Sequence, residues 1–279
     1  MIYIAVALPF EGRPIIERFG LKRNNEHRLY EIYSKDNISL IITGTGSLNA
    51  ACAVTYACEN AASKSEHIDF FINIGTACGG PSFDMNRLYL INKITSKDTG
   101  KSFYPSMVYS LCGCDGNELA ECSLVTSSSV SLNASDLHLT DMEGYGFYHA
   151  ALKYLTSERI VICKVKSDEG ANTTPSADTL REAVAGSMPD IYYLITSQIS
   201  KLMLQRPKAT TIVDINAVIN KYNLTDSMIS ELLKLAEYAA ARGIDLTPYL
   251  TLDGAPPKAQ LKSAARRLLD EIRHAVLPQ

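Results

Sequence analysis

Thr140-Asp141-Met142-Glu143-Gly144-Tyr145-Gly146-Phe147-Tyr148-His149 is the stretch on which the reading of this chain turns. An acidic pair brackets a methionine, two glycines follow, and a helical run is expected over 149–154. The next apolar run, Ile160-Val161-Ile162-Cys163-Lys164-Val165, reads as a strand and ends in Ser167-Asp168. A helix therefore carries Glu143 near its start, and the following strand delivers Asp168 at its C-terminal end. In open α/β sheets that strand end is where ligands bind.

The rest of the chain sets the bounds. With 279 residues there is room for one large α/β domain or a domain plus an appendage. Hydrophobic residues make up 46% and charged residues 20%, ordinary values for a soluble protein with a substantial core. The net charge is −3, from 27 basic and 30 acidic residues. No basic stripe is visible, which argues against nucleic acid as a partner. Seven cysteines (Cys52, Cys58, Cys78, Cys112, Cys114, Cys122, Cys163) form an odd set without framework spacing. They read as reduced thiols of a cytoplasmic protein. Residues 2–8 lack a basic leader region, and no apolar stretch is long enough to span a bilayer, so no membrane association is expected.

Taken in order, 2–8 is a continuous apolar run, the pattern of a strand buried on both faces. Pro9-Phe10-Glu11-Gly12-Arg13-Pro14 breaks it, and 15–19 reads as a short helix ended by Gly20. Glu11 thus lies just past the end of the first strand. Residues 29–33 and 38–42 read as strands joined by a hairpin turn at Lys35-Asp36-Asn37. Thr43-Gly44-Thr45-Gly46-Ser47 follows, and 48–59 is helical. Strand, glycine loop and helix can offer N–H groups to an anion or a ribose. The loop lacks both the dinucleotide glycine spacing and the P-loop lysine–hydroxyl pair, and would serve equally as a tight packing turn. No cofactor and no metal is indicated.

A further buried strand, 69–75, runs into Thr76-Ala77-Cys78-Gly79-Gly80, where small residues leave room for a ligand and Thr76 adds a hydroxyl. Residues 88–94 and 124–126 read as strands, and 97–117 as a long surface loop centred on Phe103-Tyr104-Pro105. Such a loop suits a lid or a subunit contact. Helices are expected over 176–185 and 189–205. From 212 onward the pattern is helical only: 212–222, a helix from the N-cap Thr225 to Arg242 with Gly243 as C-cap, and 258–276, linked through Thr247-Pro248 and Gly254-Ala255-Pro256-Pro257. Two carboxylates, Glu143 and Asp168, aimed at one crevice suit chemistry at a glycosidic carbon. One can hold the sugar while the other handles a proton.

Ala7 and Glu11 after the first strand, Thr43-Gly44-Thr45-Gly46, Asn73 through Thr76-Ala77 to Gly79-Gly80, and Asp141-Met142-Glu143-Gly144 followed by Ser167-Asp168 occur in this order. In order and spacing they resemble the nucleoside phosphorylase superfamily. The resemblance is nearest to its hydrolase branch, the methylthioadenosine/S-adenosylhomocysteine nucleosidases and futalosine hydrolases. It implies a three-layer α/β fold with a central mixed sheet over 1–206, and leaves 207–279 outside as an α-helical appendage. It also implies a homodimer acting on a small-molecule nucleoside.

By position, the resemblance makes Asp168 the acid that protonates or hydrogen-bonds the base nitrogen, and Glu11 the base that activates water. Met142 and Glu143 match the residues that pack under the ribose and grip its hydroxyls, and Thr76 a hydroxyl residue beside the nucleophile. Thr45, Gly46, Ala77, Val130 and Ser167 complete the candidate substrate-binding set. Val130 stands where the nucleosidases carry an aromatic that stacks on the purine. Tyr104, Tyr145 or Phe147 would supply that stack instead, or serve as core or interface. Asn73 replaces the arginine that the phosphorylases use, which favours water over phosphate as nucleophile, with Arg13 as the nearby compensating cation. A phosphorylase and a non-catalytic nucleoside-binding protein are the alternatives on the same fold.

Overall fold

The computed structural model describes residues 1–129, 134–170, 175–204, 218–242, 244, 246–250 and 260–276. Two compact units divide the chain, Met1–Lys201 and Leu202–Gln279.

The first unit is mixed α/β. Its strands are β1 (Ile2–Val6), β2 (Lys22–Arg23), β3 (Glu31–Lys35), β4 (Ile38–Ile42), β5 (Phe70–Cys78), β6 (Leu88–Ser96), β7 (Ser102–Phe103), β8 (Ala120–Thr126), β9 (Leu139–Asp141) and β10 (Ile160–Asp168). The helices are α1 (Pro9–Phe19), α2 (Ser47–Ser63), α3 (Gly144–Ala151), α4 (Ala177–Gly186) and α5 (Met188–Tyr193), the last continuing through a π-helical segment, Leu194–Ile199, into α6 (Ser200–Leu204). The sheet runs β10-β6-β8-β9-β5-β1-β4-β3-β2, and β10 also pairs with β5. Five strands therefore close a circuit, from which β1, β4, β3 and β2 extend as an open wing.

Alternation assigns the two faces. Tyr3, Ala5, Ile41 and Phe71 share one core with Val54 of α2 and Phe147 of α3. On the other face α1 lies so close that a Cβ on Gly12 would meet Val6 and Ile42 at 3.0 Å. Helices thus cover the sheet on both sides, in three layers.

Several elements begin or end elsewhere than the pattern predicts. α1 starts at Pro9 rather than at 15, because proline at the first helical position loses no hydrogen bond and Pro14 forfeits only one. Gly20 still ends it in the left-handed region, at φ 64. α3 starts at Gly144 rather than at 149. Its glycines are contact points: a Cβ on Gly146 would stand 2.0 Å from the Ser47 carbonyl oxygen of α2, and one on Gly144 2.6 Å from Leu124. β5 extends to Cys78 because β10 gives it a partner from Phe71 to Cys78. The 97–117 loop carries the short strand β7, and Phe103 within it packs against Tyr145, Tyr148 and His149 at 5.1 to 5.5 Å.

In the second unit the described elements are helical: α7 (Asp226–Arg242), α8 (Thr247–Leu250) and α9 (Leu261–Val276). Leu232, Leu235, Ala239, Leu268, Leu269 and Ile272 form its core. Thr247-Pro248, read from sequence as linker, opens α8, since proline fits the first turn of a helix. Residues 212–217, Gly243 and 251–259 lie outside the described residues.

Candidate active site

The site forms where β5 loses its neighbour. On the flank away from β10, β5 pairs with β1 only from Phe70 to Asn73 and with β9 only at Cys78. Between those contacts the strand edge is open, and an open edge needs acceptors. Glu11 supplies one. From the first turn of α1, its Oε1 accepts the Thr76 N–H at 2.8 Å and the Thr76 hydroxyl at 2.6 Å. Its Oε2 accepts the Leu8 N–H at 3.0 Å, as a glutamate at the third helical position commonly does. The carboxylate is 2% exposed and held by three donors. The structure places Glu11 and Thr76 side by side.

Glu143 comes from across the crevice, at the N-terminal boundary of α3. Its Oε1 accepts the Gly46 N–H at 2.8 Å. That amide is presented by a loop whose Gly44 and Gly46 take φ values of 82° and 96°, open to glycine and strained for other residues. Ser47 Oγ donates to the Met142 carbonyl at 3.2 Å, so the glycine loop and the acidic motif are sewn together. Burial, then the charge of Asp141, push Glu143 up to about 7.

Beneath this lie residues that the sequence reading missed. Lys164, in β10, is buried and pairs with Asp141 at 2.9 Å. Asp141 also accepts the Thr126 hydroxyl at 2.7 Å and the Gly144 N–H at 2.8 Å. Burial alone would lower the Lys164 ammonium; the carboxylates of Asp141, Glu143 and Glu11 outweigh it and raise it above the ordinary lysine value. A Cβ on Gly75 would lie 3.2 Å from Lys164 Nζ and 3.5 Å from Glu11 Oε1, so the glycine leaves the space between cation and carboxylate open. The available signal was a lysine inside an otherwise apolar strand, a position that demands a buried partner.

Asp168 closes the third side. It stands opposite Cys78 in the β5–β10 register. Its Oδ2 accepts the Ser167 hydroxyl at 2.8 Å and its Oδ1 the Gly170 N–H at 3.0 Å. Burial and then the Asp168 charge push the Cys78 thiol up to about 12. Thr76, which holds Glu11, and Cys78, which faces Asp168, are about 7 Å apart along β5.

The other candidates are distributed as follows. Ala77 is buried beside Ser167, whose hydroxyl lies 3.5 Å from the Ala77 carbonyl. Thr45 is exposed at the glycine loop. Val130 lies outside the described residues. Phe147 is wholly buried edge-on to Phe71 and belongs to the core, and Tyr145 packs on Phe103. Tyr104 is exposed. Arg13 is exposed too and bonds Glu17 at 2.8 Å along its own helix. Asn73 donates to the Ala5 carbonyl at 3.2 Å, and its Oδ1 is buried without a partner. Among the described residues no group of three or more metal-capable side chains is assembled, and no helix is long and apolar enough to cross a membrane.

No protein-family model matches the chain, and no curated protein matches it in sequence. Solved structures do match. The 5'-methylthioadenosine/S-adenosylhomocysteine nucleosidase of Neisseria meningitidis, in complex with methylthio-immucillin-A, is 16% identical; 70% of this chain covers 98% of it, with a TM-score of 0.58. The corresponding nucleosidase of Colwellia psychrerythraea, in complex with adenine, is 16% identical, covering 70% and 93% of the two chains at a TM-score of 0.56. The 5'-methylthioadenosine nucleosidase of Arabidopsis thaliana is 19% identical, covering 71% and 97% at 0.56. The protein therefore has the fold of these nucleosidases, at an identity that speaks for architecture and not for activity.

Proposed function

We propose that the protein is a nucleosidase that hydrolyses the N-glycosidic bond of a purine-type nucleoside. The observation that carries this reading is the Glu11 carboxylate, held by Thr76 in the gap between β1 and β9, with Asp168 two β5 positions further on. In the reaction, water attacks the anomeric carbon as the C–N bond breaks. Glu11 takes a proton from the water, and Asp168 gives one to the departing base nitrogen. Glu143 and Met142 hold the ribose, with Thr45, Gly46, Thr76, Ala77 and Ser167 completing the walls. Positive charge gathers on the sugar in the transition state, and the carboxylates around it oppose that charge in a water-poor site. Each positioned acid or base is worth about 10² to 10⁴ in rate.

Water is favoured over phosphate as nucleophile for three reasons. Arg13 is tied to Glu17 at the surface, and Asn73 is neutral and bonded to the backbone. Lys164 is committed to Asp141. The activity is assigned to 1–206, with 207–279 as an appendage, in a cytoplasmic homodimer. Exposed Tyr104 and Val108, on the loop pinned by Phe103, suit its interface.

The test is a nucleoside panel that includes methylthioadenosine and adenosine, assayed with and without phosphate. Free base and the free sugar (ribose from adenosine, 5-methylthioribose from methylthioadenosine) should appear in phosphate-free buffer, and phosphate should not accelerate their release. A sugar 1-phosphate as the main product would replace this reading with a phosphorylase. No cleavage of any nucleoside would leave a binding protein.

A further inference from the structure

Lys166 sits two residues before Asp168 and is buried, its side chain 1% exposed. A buried ammonium is tolerated only when its donors are matched. Here all three are. Lys166 Nζ donates to the Gly80 carbonyl at 2.8 Å, to the Phe83 carbonyl at 2.8 Å and to Glu169 Oε1 at 2.9 Å. The first two acceptors belong to the turn that follows β5, the third to the chain that follows β10. The same turn is fastened on its other side: Gly80 N–H donates to the Ser135 carbonyl at 2.8 Å, and Ser82 donates from N–H and hydroxyl to Asp136 at 3.0 and 2.8 Å. One ammonium thus joins two segments of the base-side wall, the turn after β5 and the end of β10, and the turn itself holds the 135–136 segment.

The register of β10 changes at this point. Lys166 faces Ala77, but Asp168 faces Cys78, so Ser167 is an extra residue and the strand bulges. A bulge re-aims the side chain that follows it. After it, Asp168 is held by Ser167 and Gly170 through its carboxylate, and by the Gly79 N–H at 3.0 Å through its carbonyl. Gly79 is the residue before the Lys166-bound turn. One backbone bond, from Gly79, ties the bulged strand end to the start of that turn, and the ammonium adds two more to the body of the turn and one to Glu169.

We propose that Lys166 is a positioning residue for Asp168: it bolts the 79–83 turn to the end of β10 and so sets the direction in which the Asp168 carboxyl meets the leaving base. The inference rests on Asp168 as the acid. Its test has one readout that turnover does not enter.

In the full chain, Lys166→Met removes the ammonium and keeps the apolar stem. Amide exchange followed by NMR should quicken at least 10-fold at Gly79 and Gly170, with Ala53 and Val54 in α2 unchanged. On the best nucleoside, kcat should fall at least 10-fold with KM nearly constant. Adding Lys166→Met to Asp168→Asn should then cost less than 2-fold more, because residues acting as a unit are not additive. Unchanged exchange at both glycines, or a kcat loss that simply multiplies with that of Asp168→Asn, overturns the proposal. If the methionine variant does not fold, Glu169→Ala removes only the half-exposed acceptor. Exchange at Gly170 should still rise about 3-fold, and no change there overturns the proposal as well. If the wild-type protein cleaves no nucleoside, the proposed function fails, and the exchange rates alone decide whether Lys166 holds this strand end.

Discussion

The two ends of the crevice are built in opposite ways. At the end proposed for sugar and water, Glu11, Thr76, Asp141 and Lys164 stand on regular strands and on the first turn of α1, and bond mainly to one another. At the end proposed for the base, Asp168 follows a bulge, and its neighbourhood is held by turns tied together through Lys166 and Asp136. Small, invariant chemistry, a water and a ribose, suits the rigid end. Variable chemistry, the base, suits the end assembled from turns, which change with little disturbance to the sheet. Loss of Glu11 at the rigid end should therefore abolish turnover on every substrate, and substitutions at the base end should act through the leaving group.

The largest effect is expected at Glu11. Glu11→Gln keeps the length and an oxygen for the Thr76 N–H but cannot accept the proton of water. kcat should fall by roughly 10³ or more while nucleoside affinity changes little, read from steady-state kinetics beside a binding isotherm. A variant retaining a tenth of the activity would place the base elsewhere and break the comparison at its rigid end.

Next comes Asp168→Asn, with an expected loss of about 10² in kcat. The comparison sharpens here if the loss depends on the leaving group. A nucleoside whose base departs readily without a proton should lose far less than an ordinary purine nucleoside. Equal losses on both would mean that Asp168 orients the base and does not protonate it.

Much of the rigid end was legible in the sequence. The apolar runs that become β1 and β10 admit only buried strands, and strand ends followed by Glu11 and Asp168 point to a crevice. What escaped did so for physical reasons. Gly144 and Gly146 look like helix breakers in isolation, and only the close approach of Leu124 to the first and of α2 to the second, 2.6 and 2.0 Å from a would-be Cβ, explains them. Lys164 lies inside an apolar strand and so calls for a buried partner, but nothing local names Asp141 as that partner. Lys166 bonds to carbonyls 86 and 83 positions away, a separation that no local periodicity reports. Thr76 fell at a supposed strand end because the pairing that prolongs β5 comes from β10, far along the chain.

The smallest effect should appear at Glu143, and it carries a sign that the rigid end alone would produce. Burial first, and then Asp141, push its carboxyl up to about 7, whereas an unfolded glutamate titrates near 4.3. Between roughly pH 4.5 and 7 the folded protein thus keeps a proton that the unfolded chain has released. Stability falls as pH rises through that window and levels off above it. Glu143→Gln cannot ionise yet still offers an oxygen to the Gly46 N–H. At pH 8 it should be more stable than the parent by about 1–3 kcal/mol, and at pH 5 nearly equal to it, by urea unfolding at the two pH values. KM should rise about 10-fold, because the amide is a poorer acceptor for the ribose hydroxyls. Stability gained together with affinity lost is what a carboxylate buried for substrate, rather than for the fold, must show. A variant less stable at pH 8 would mean that Glu143 is structural, and that the rigid end of the crevice owes its rigidity to the very group assigned to the sugar.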